Sequence, residues 1–273
     1  MLQLFAVVLA IALFSQLLTC EVALDANEGL LITTAFYALI LLVVYMLLRQ
    51  GGEGFSNLGM RISGLGTFIL LAAVLGIIAQ FIWAILLAAA SGNLVFNFGV
   101  LPIETFLLQV LVMALLVGFV EESAFRGYIQ RKFTASYGFV RALILASFLF
   151  MIIHIQFYTY YKLTDPAVQA ALGVTAADVS VAIRFLVTQT VIAISALGIF
   201  TGFIYRRSGQ NVLPSAAFHI MFNVGGLIMV YSNASDVAFS LGYGTFAFLW
   251  MLWAILVGAL LWAATKAIFP KSR

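Results

Sequence analysis

The sequence predicts an all-α, polytopic membrane protein of about eight transmembrane helices around a buried polar site. Three observations carry this reading. Of 273 residues, 64% are hydrophobic and only 8% charged, against roughly 25% charged in an ordinary soluble domain. So few polar groups do not cover a soluble core of this size. The charges gather in clusters and leave uncharged intervals at 2–20, 29–48, 62–103, 105–120, 142–161, 185–205, 208–235 and 237–265. The few strongly polar side chains inside those intervals stand at helical spacings.

About 20 apolar residues cross the bilayer core, so the intervals give helices over 2–20, 30–48, 67–90, 103–130, 140–160, 182–205, 212–231 and 244–265. The first begins "MLQLFAVVLAIALFSQLLTC" and has the look of a secretory leader with a lipoprotein-type Cys20. It lacks a basic start, and Thr19 suits the position before a cut poorly, so it is expected to remain as a helix. The second and third are bounded by Arg49 and Arg61. The fourth is the one that continues through charges: Glu121, Glu122 and Arg126. The fifth and seventh contain the only two histidines, His154 and His219. The sixth ends at Arg206 and Arg207, and the eighth at Lys266. No internal repeat or Pro/Ser-rich linker divides the chain, which predicts a single transmembrane domain over 1–273.

Orientation follows from the basic residues, which favour cytoplasmic loops. Arg49, Arg61, Arg131, Lys132, Arg141, Arg206, Arg207 and Lys266 fall at one end of an eight-helix arrangement. The opposite loops carry mainly Glu21, Asp25, Glu28, Glu104, Asp165, Asp178 and Asp236. This predicts a multi-pass protein of the cell membrane with both termini cytoplasmic. A net charge of +3 is too small for a nucleic-acid surface, and a single cysteine excludes an intramolecular disulfide. The expected partners are the lipid bilayer and a protein or peptide substrate in the membrane or at its cytoplasmic face, with no nucleic acid.

An ionisable side chain within a membrane helix costs about 2.5–3.5 kcal/mol on insertion scales and marks a polar path or site. Glu122 and Arg126 are four apart, in the favourable order for an ion pair on one face. Glu121 lies about 100° further around the helix and is freer to point into a cavity. The expected division is that Glu122 and Arg126 hold structure while Glu121 handles protons. Charges snorkelling at a helix end would give the same local pattern. His219 and Asn223 share one face at a spacing of four, as do Phe150 and His154. Glu121, His154, His219 and Asn223 are hard to satisfy in lipid unless they converge. Counting about 1.5 Å per residue from the basic ends, these groups gather in a cavity expected to be reached from the cytoplasmic side.

The ordered motifs Glu121-Glu122-xxx-Arg126, Phe150-xxx-His154 and His219-xxx-Asn223 resemble those of the CPBP family of intramembrane proteases. That family includes CAAX prenyl endopeptidases and bacteriocin self-immunity proteins. The segment "GIFTGFIYRRSGQNVLPSAAFHIMFN" is also similar, and the family-like core spans about 103–231. The resemblance implies a glutamate-dependent endopeptidase, acting near the C-terminus of a lipid-modified protein or on another membrane protein. Glu121 and His154 would activate a water, and His219 and Asn223 would stabilise the oxyanion. Glu122, Arg126 and Phe150 would support the site. The residue types suit the chemistry: low-dielectric surroundings bring a carboxylic acid toward general-base duty, and donors can meet a developing negative charge. No cofactor is expected. Zinc is not favoured, because the chain has no HExxH and Asn223 is a poor zinc ligand. Two other classes stay open at this stage. A non-catalytic immunity or scaffold protein would not need Glu121 and both histidines together. A transporter would be expected to show repeats or paired broken helices.

Overall fold

The computed structural model describes residues 2–21, 26–61, 66–91, 96–97, 103–155, 160–161, 163–228, 230–231 and 234–268. The first three helices are α1 (Leu2–Glu21), α2 (Ala26–Gln50) and α3 (Gly66–Ser91). A long helical run from Ile103 to Tyr137 forms α4, followed by α5 (Phe139–Ile153) and a short α6 (Pro166–Leu172). The remainder is α7 (Ala176–Arg207), α8 (Val212–Ile228) and α9 (Ala234–Ile268). Two-residue strands β1 (Phe96–Asn97) and β2 (Val230–Tyr231) pair antiparallel.

Among the described residues, four helices are long and apolar enough to cross a membrane: Gly66–Ser91, Phe106–Tyr137, Ala176–Arg207 and Leu241–Ala267. The other expected spans coincide with shorter apolar helices, Phe5–Phe14, Thr34–Gln50, Phe139–Ile153 and Val212–Leu227. Apart from the β1–β2 pair the described fold is therefore helical and multi-pass, and the number of eight crossings rests on the sequence. Several boundaries differ from expectation for local reasons. α7 begins six residues early because Thr175 and Asp178 form a reciprocal capping box. α9 breaks at Gly242, whose φ of 72° is a left-handed conformation that favours glycine. α5 stops at Ile153, so His154 closes the helix instead of lying within it. Residues 156–159 of the expected fifth span lie outside the described residues. At the end of the seventh, Val230 and Tyr231 pair with β1 instead of continuing the helix.

The two ends of the bundle are distinct. At one end Glu53 accepts hydrogen bonds from Arg131 and, at 2.6 Å, from Lys132. Asn211 Nδ2 donates to the Arg61 carbonyl at 2.5 Å, and the Arg206 guanidinium lies over the Phe139 ring. These contacts gather the α2–α3, α4–α5 and α7–α8 connections into one basic end. The β1–β2 pair joins connections at the other end.

Between the ends, buried side chains form one connected core from Val8 on α1 to Leu261 on α9. Without a water-driven force between helices in lipid, close packing must hold them together, and small residues permit it. A β-carbon at Gly76 on α3 would lie 2.2 Å from the Phe218 carbonyl of α8. One at Gly118 on α4 would lie 2.2 Å from the Ile220 side chain. α8 is thus clasped between α3 and α4. The outward faces carry exposed Leu70, Ile85, Ile144, Phe248 and Ile255, which suits a lipid surround.

Candidate active site

α4 changes its winding around the two glutamates. π-helical segments Met113–Gly118 and Ser123–Gln130 flank a single α-helical turn, Phe119–Glu122. Such widened turns interrupt regular packing and recur at functional sites. The Ser123 hydroxyl donates to the Phe119 carbonyl at 2.6 Å and supports the transition. Glu121 and Glu122 are both buried here, at 6% and 0% exposure, yet they meet different partners.

Glu122 belongs to a closed network. Its Oε2 accepts from Arg126 Nε at 3.1 Å and its Oε1 accepts from His219 Nδ1–H at 3.0 Å. Arg126 Nε also donates to Thr201 Oγ1 at 2.9 Å, which brings in α7. The Thr201 carbonyl in turn accepts from the Ser215 hydroxyl of α8 at 2.9 Å. α4, α7 and α8 are therefore tied through one buried carboxylate. The Arg126 guanidinium rests 5.1 Å over the Phe150 ring, a cation–π contact that substitutes in part for missing hydrogen bonds at Nη1 and Nη2.

Glu121 is only half engaged. Its Oε1 accepts from the Tyr37 hydroxyl of α2 at 2.5 Å, while its Oε2 is buried with no hydrogen-bond partner among the described residues. That free oxygen stands 3.7 Å from His154 Nε2. The His154 ring is oriented by its other nitrogen, because Nδ1–H donates to the Phe150 carbonyl at 2.7 Å. Phe150 lies in the last turn of α5, where carbonyls lack an intrahelical partner; His154 thus caps its own helix and turns its Nε2 edge toward Glu121. Phe150 is also the shared platform of both histidines. Its ring is 4.5 Å from the His154 ring and 5.9 Å, edge-on, from the His219 ring.

Tyr37, Glu121, His154, His219 and Asn223 all line one cavity of about 730 Å³. Trp83, Phe185, Phe222, Phe246 and Trp250 supply its aromatic walls, with Trp83 and Trp250 stacked at 3.6 Å. The structure thus brings the four expected catalytic side chains to one space and sets Glu122, Arg126 and Phe150 directly behind them. The cavity extends away from the basic end, because on the basic side Phe125, Arg126, Ile129, Phe200 and Phe218 fill the bundle.

Three features escaped the sequence reading. Tyr37 is one polar residue among several in an apolar helix, with no spacing that links it to a glutamate 84 positions away. The Glu122–His219 pair joins residues 97 apart, and the Thr201 contact joins residues 75 apart. Among the described residues, no three His, Cys, Asp or Glu side chains form a metal-ligand group.

Residues 103–225 match the family model described as type II CAAX prenyl endopeptidase Rce1-like. The matched segment, a little under half of the chain, contains Glu121, Glu122, Arg126, Phe150, His154, His219 and Asn223; Tyr37, Trp83, Phe246 and Trp250 lie outside it. No curated protein and no solved structure matches the chain. The segment is that of a membrane-protease family, in agreement with the motifs.

Proposed function

We propose that this chain, with its Rce1-like segment, is an intramembrane endopeptidase in which Glu121 and His154 activate one water against a peptide carbonyl. The observation that carries the reading is the unpaired Glu121 Oε2, buried and 3.7 Å from the acceptor nitrogen of His154. That separation is too long for a hydrogen bond between them. It suits a water standing beside both, which gives one O–H to each and turns a lone pair outward. Tyr37 occupies the other carboxylate oxygen and so fixes which one acts as the base. Glu121 takes the proton as the water attacks and returns it to the departing amine, as a positioned general base and acid does.

The tetrahedral oxyanion then needs donors in a low-dielectric site. Asn223 Nδ2–H is one. His219 is the other: Glu122 holds its Nδ1, which leaves the Nε2 edge of the ring for the oxyanion. Each such donor is worth about 10²–10³ in kcat. We propose the same chemistry without a metal. The resemblance supports a lipid-modified or other membrane protein as substrate, with cleavage near a C-terminus as one form.

The test compares membrane proteomes of cells carrying the wild-type chain or Glu121→Ala. Peptides trimmed only in the wild type would identify activity and target together; identical peptides in both would remove the mechanism. Activity lost to a zinc chelator and restored by zinc would overturn the metal-free step.

A further inference from the structure

We propose that Gln80 is a substrate-binding residue, whose side-chain amide hydrogen-bonds the substrate main chain beside the bond under attack. This rests on the endopeptidase reading and adds a residue of α3, outside the family-matched segment 103–225. Gln80 is 8% exposed and lines the same cavity as Glu121, His154, His219 and Asn223. Among the described residues its amide has no hydrogen-bond partner. A glutamine in a membrane helix ordinarily hydrogen-bonds across to a neighbouring helix. Here the amide faces the cavity, and its donors and acceptor are left for a ligand. A buried polar group without a partner is unfavourable and calls for such an explanation.

α8 supplies a seat for this side chain. A β-carbon at Gly225 would lie 3.0 Å from Gln80 Cβ and 3.2 Å from its Cγ, and one at Gly226 would lie 3.6 Å from Nε2. The stem of Gln80 therefore rests on Gly225 and its amide stands over Gly226. α3 is fixed on either side of this contact. One turn earlier, Gly76 is pressed against the Phe218 carbonyl. At the preceding residue, the Trp253 indole of α9 donates to the Ala79 carbonyl at 2.7 Å. The amide is thus held on packed helices, the setting in which a binding group keeps its geometry.

Position selects the ligand group. Gly226 follows Asn223 by three residues on α8, a rise of about 4.5 Å. An extended peptide advances about 3.3 Å per residue. A substrate whose scissile carbonyl meets Asn223 and which runs along α8 therefore brings a main-chain group one or two residues away to Gln80. Glutamine offers an acceptor oxygen and two N–H donors without charge, which match the N–H and C=O of a peptide bond. The contact reads the peptide main chain, whatever side chain or lipid the substrate carries.

Gln80→Met keeps an unbranched side chain on Gly225 and removes the amide. With full-length protein and a fluorogenic peptide bearing a farnesylated cysteine near its C-terminus, KM is expected to rise about three- to tenfold, the worth of one hydrogen bond. kcat and Tm should stay close to wild type, as when uniform binding is lost. A fall in Tm with KM unchanged would assign Gln80 to helix packing and overturn the proposal. The sharper comparison replaces each peptide bond flanking the scissile one, in turn, by a trans-alkene that lacks both N–H and C=O. One replacement is expected to raise KM in the wild type and to add nothing in Gln80→Met; additive losses at every position overturn the contact. Should the wild type cut no peptide, fluorescence anisotropy of the same peptide decides. Tighter binding to the wild type than to Gln80→Met keeps the main-chain contact and removes the endopeptidase reading, whereas equal binding, or none, overturns the contact itself.

Discussion

The bundle has two halves that meet between Glu121 and Glu122. From Glu122 toward the basic end, polar groups are buried against partners: Arg126 with Glu122 and Thr201, His219 with Glu122, Ser215 with Thr201. From Glu121 the other way, an aromatic cavity opens and polar groups face space: Glu121 Oε2 has no partner. Adjacent carboxylates on one helix thus live under different rules. A satisfied buried network fixes one structure, while an unsatisfied group of this kind costs about 1–3 kcal/mol and is retained where it does chemistry.

The sharpest way to break the comparison is on the cavity side. His154→Ala removes a water-activating group, and we expect cleavage to fall by about 10²–10⁴-fold. Folded yield should be retained, with only the small fall in Tm expected from losing the α5 cap. On the packed side, Arg126→Ala leaves Glu122 without its cation, and loss of one partner from a buried pair costs about 3–5 kcal/mol. Here the expected outcome is a fall in Tm and in folded yield, with activity lost in proportion. An unchanged Tm would show that the network braces nothing.

Tyr37→Phe refines the boundary. The ring stays and the hydroxyl goes, so the Glu121 carboxylate loses the group that fixes its orientation. Misplacement of a reacting group on this scale lowers kcat by about 10–100-fold, with KM and Tm little changed. A rise in KM alone would reassign Tyr37 to substrate binding.

The smallest effect belongs to the basic end. Hydrogen bonds from Arg131, then Lys132, hold Glu53 below the usual carboxylate range. Because the folded-state value is depressed, the stabilisation is present above the ordinary value of 4.5 and is lost as pH falls through the lower folded value. Glu53→Gln should lower stability by less than about 1 kcal/mol, as for partly exposed ion pairs. A thermal melt at neutral and acid pH should show the difference between wild type and variant shrinking on acidification.

How much of this was legible in the sequence depended on distance along the chain. Charge-free intervals located the helices, because lipid allows few exceptions. The i, i+4 spacing of Glu122 and Arg126 anticipated their ion pair, since that contact lies within one helix. The partner of His219 was not legible, because Glu122 reaches it across 97 residues and pairing across helices leaves no periodic trace. Tyr37 was hidden for the same reason. His154 was placed in the right cavity but on the wrong kind of backbone: its side chain caps α5, which hydropathy does not report. Which side of the bundle is filled, with Phe125, Phe200 and Phe218, was not legible either, because counting residues gives depth alone.

The most direct measurement sets Glu121→Gln beside Glu122→Gln in purified, reconstituted protein, recording Tm and cleavage of a membrane-embedded peptide for each. The account predicts that Glu121→Gln melts with the wild type and cuts nothing, whereas Glu122→Gln melts well below it. Cleavage by Glu121→Gln at the wild-type rate would contradict the account.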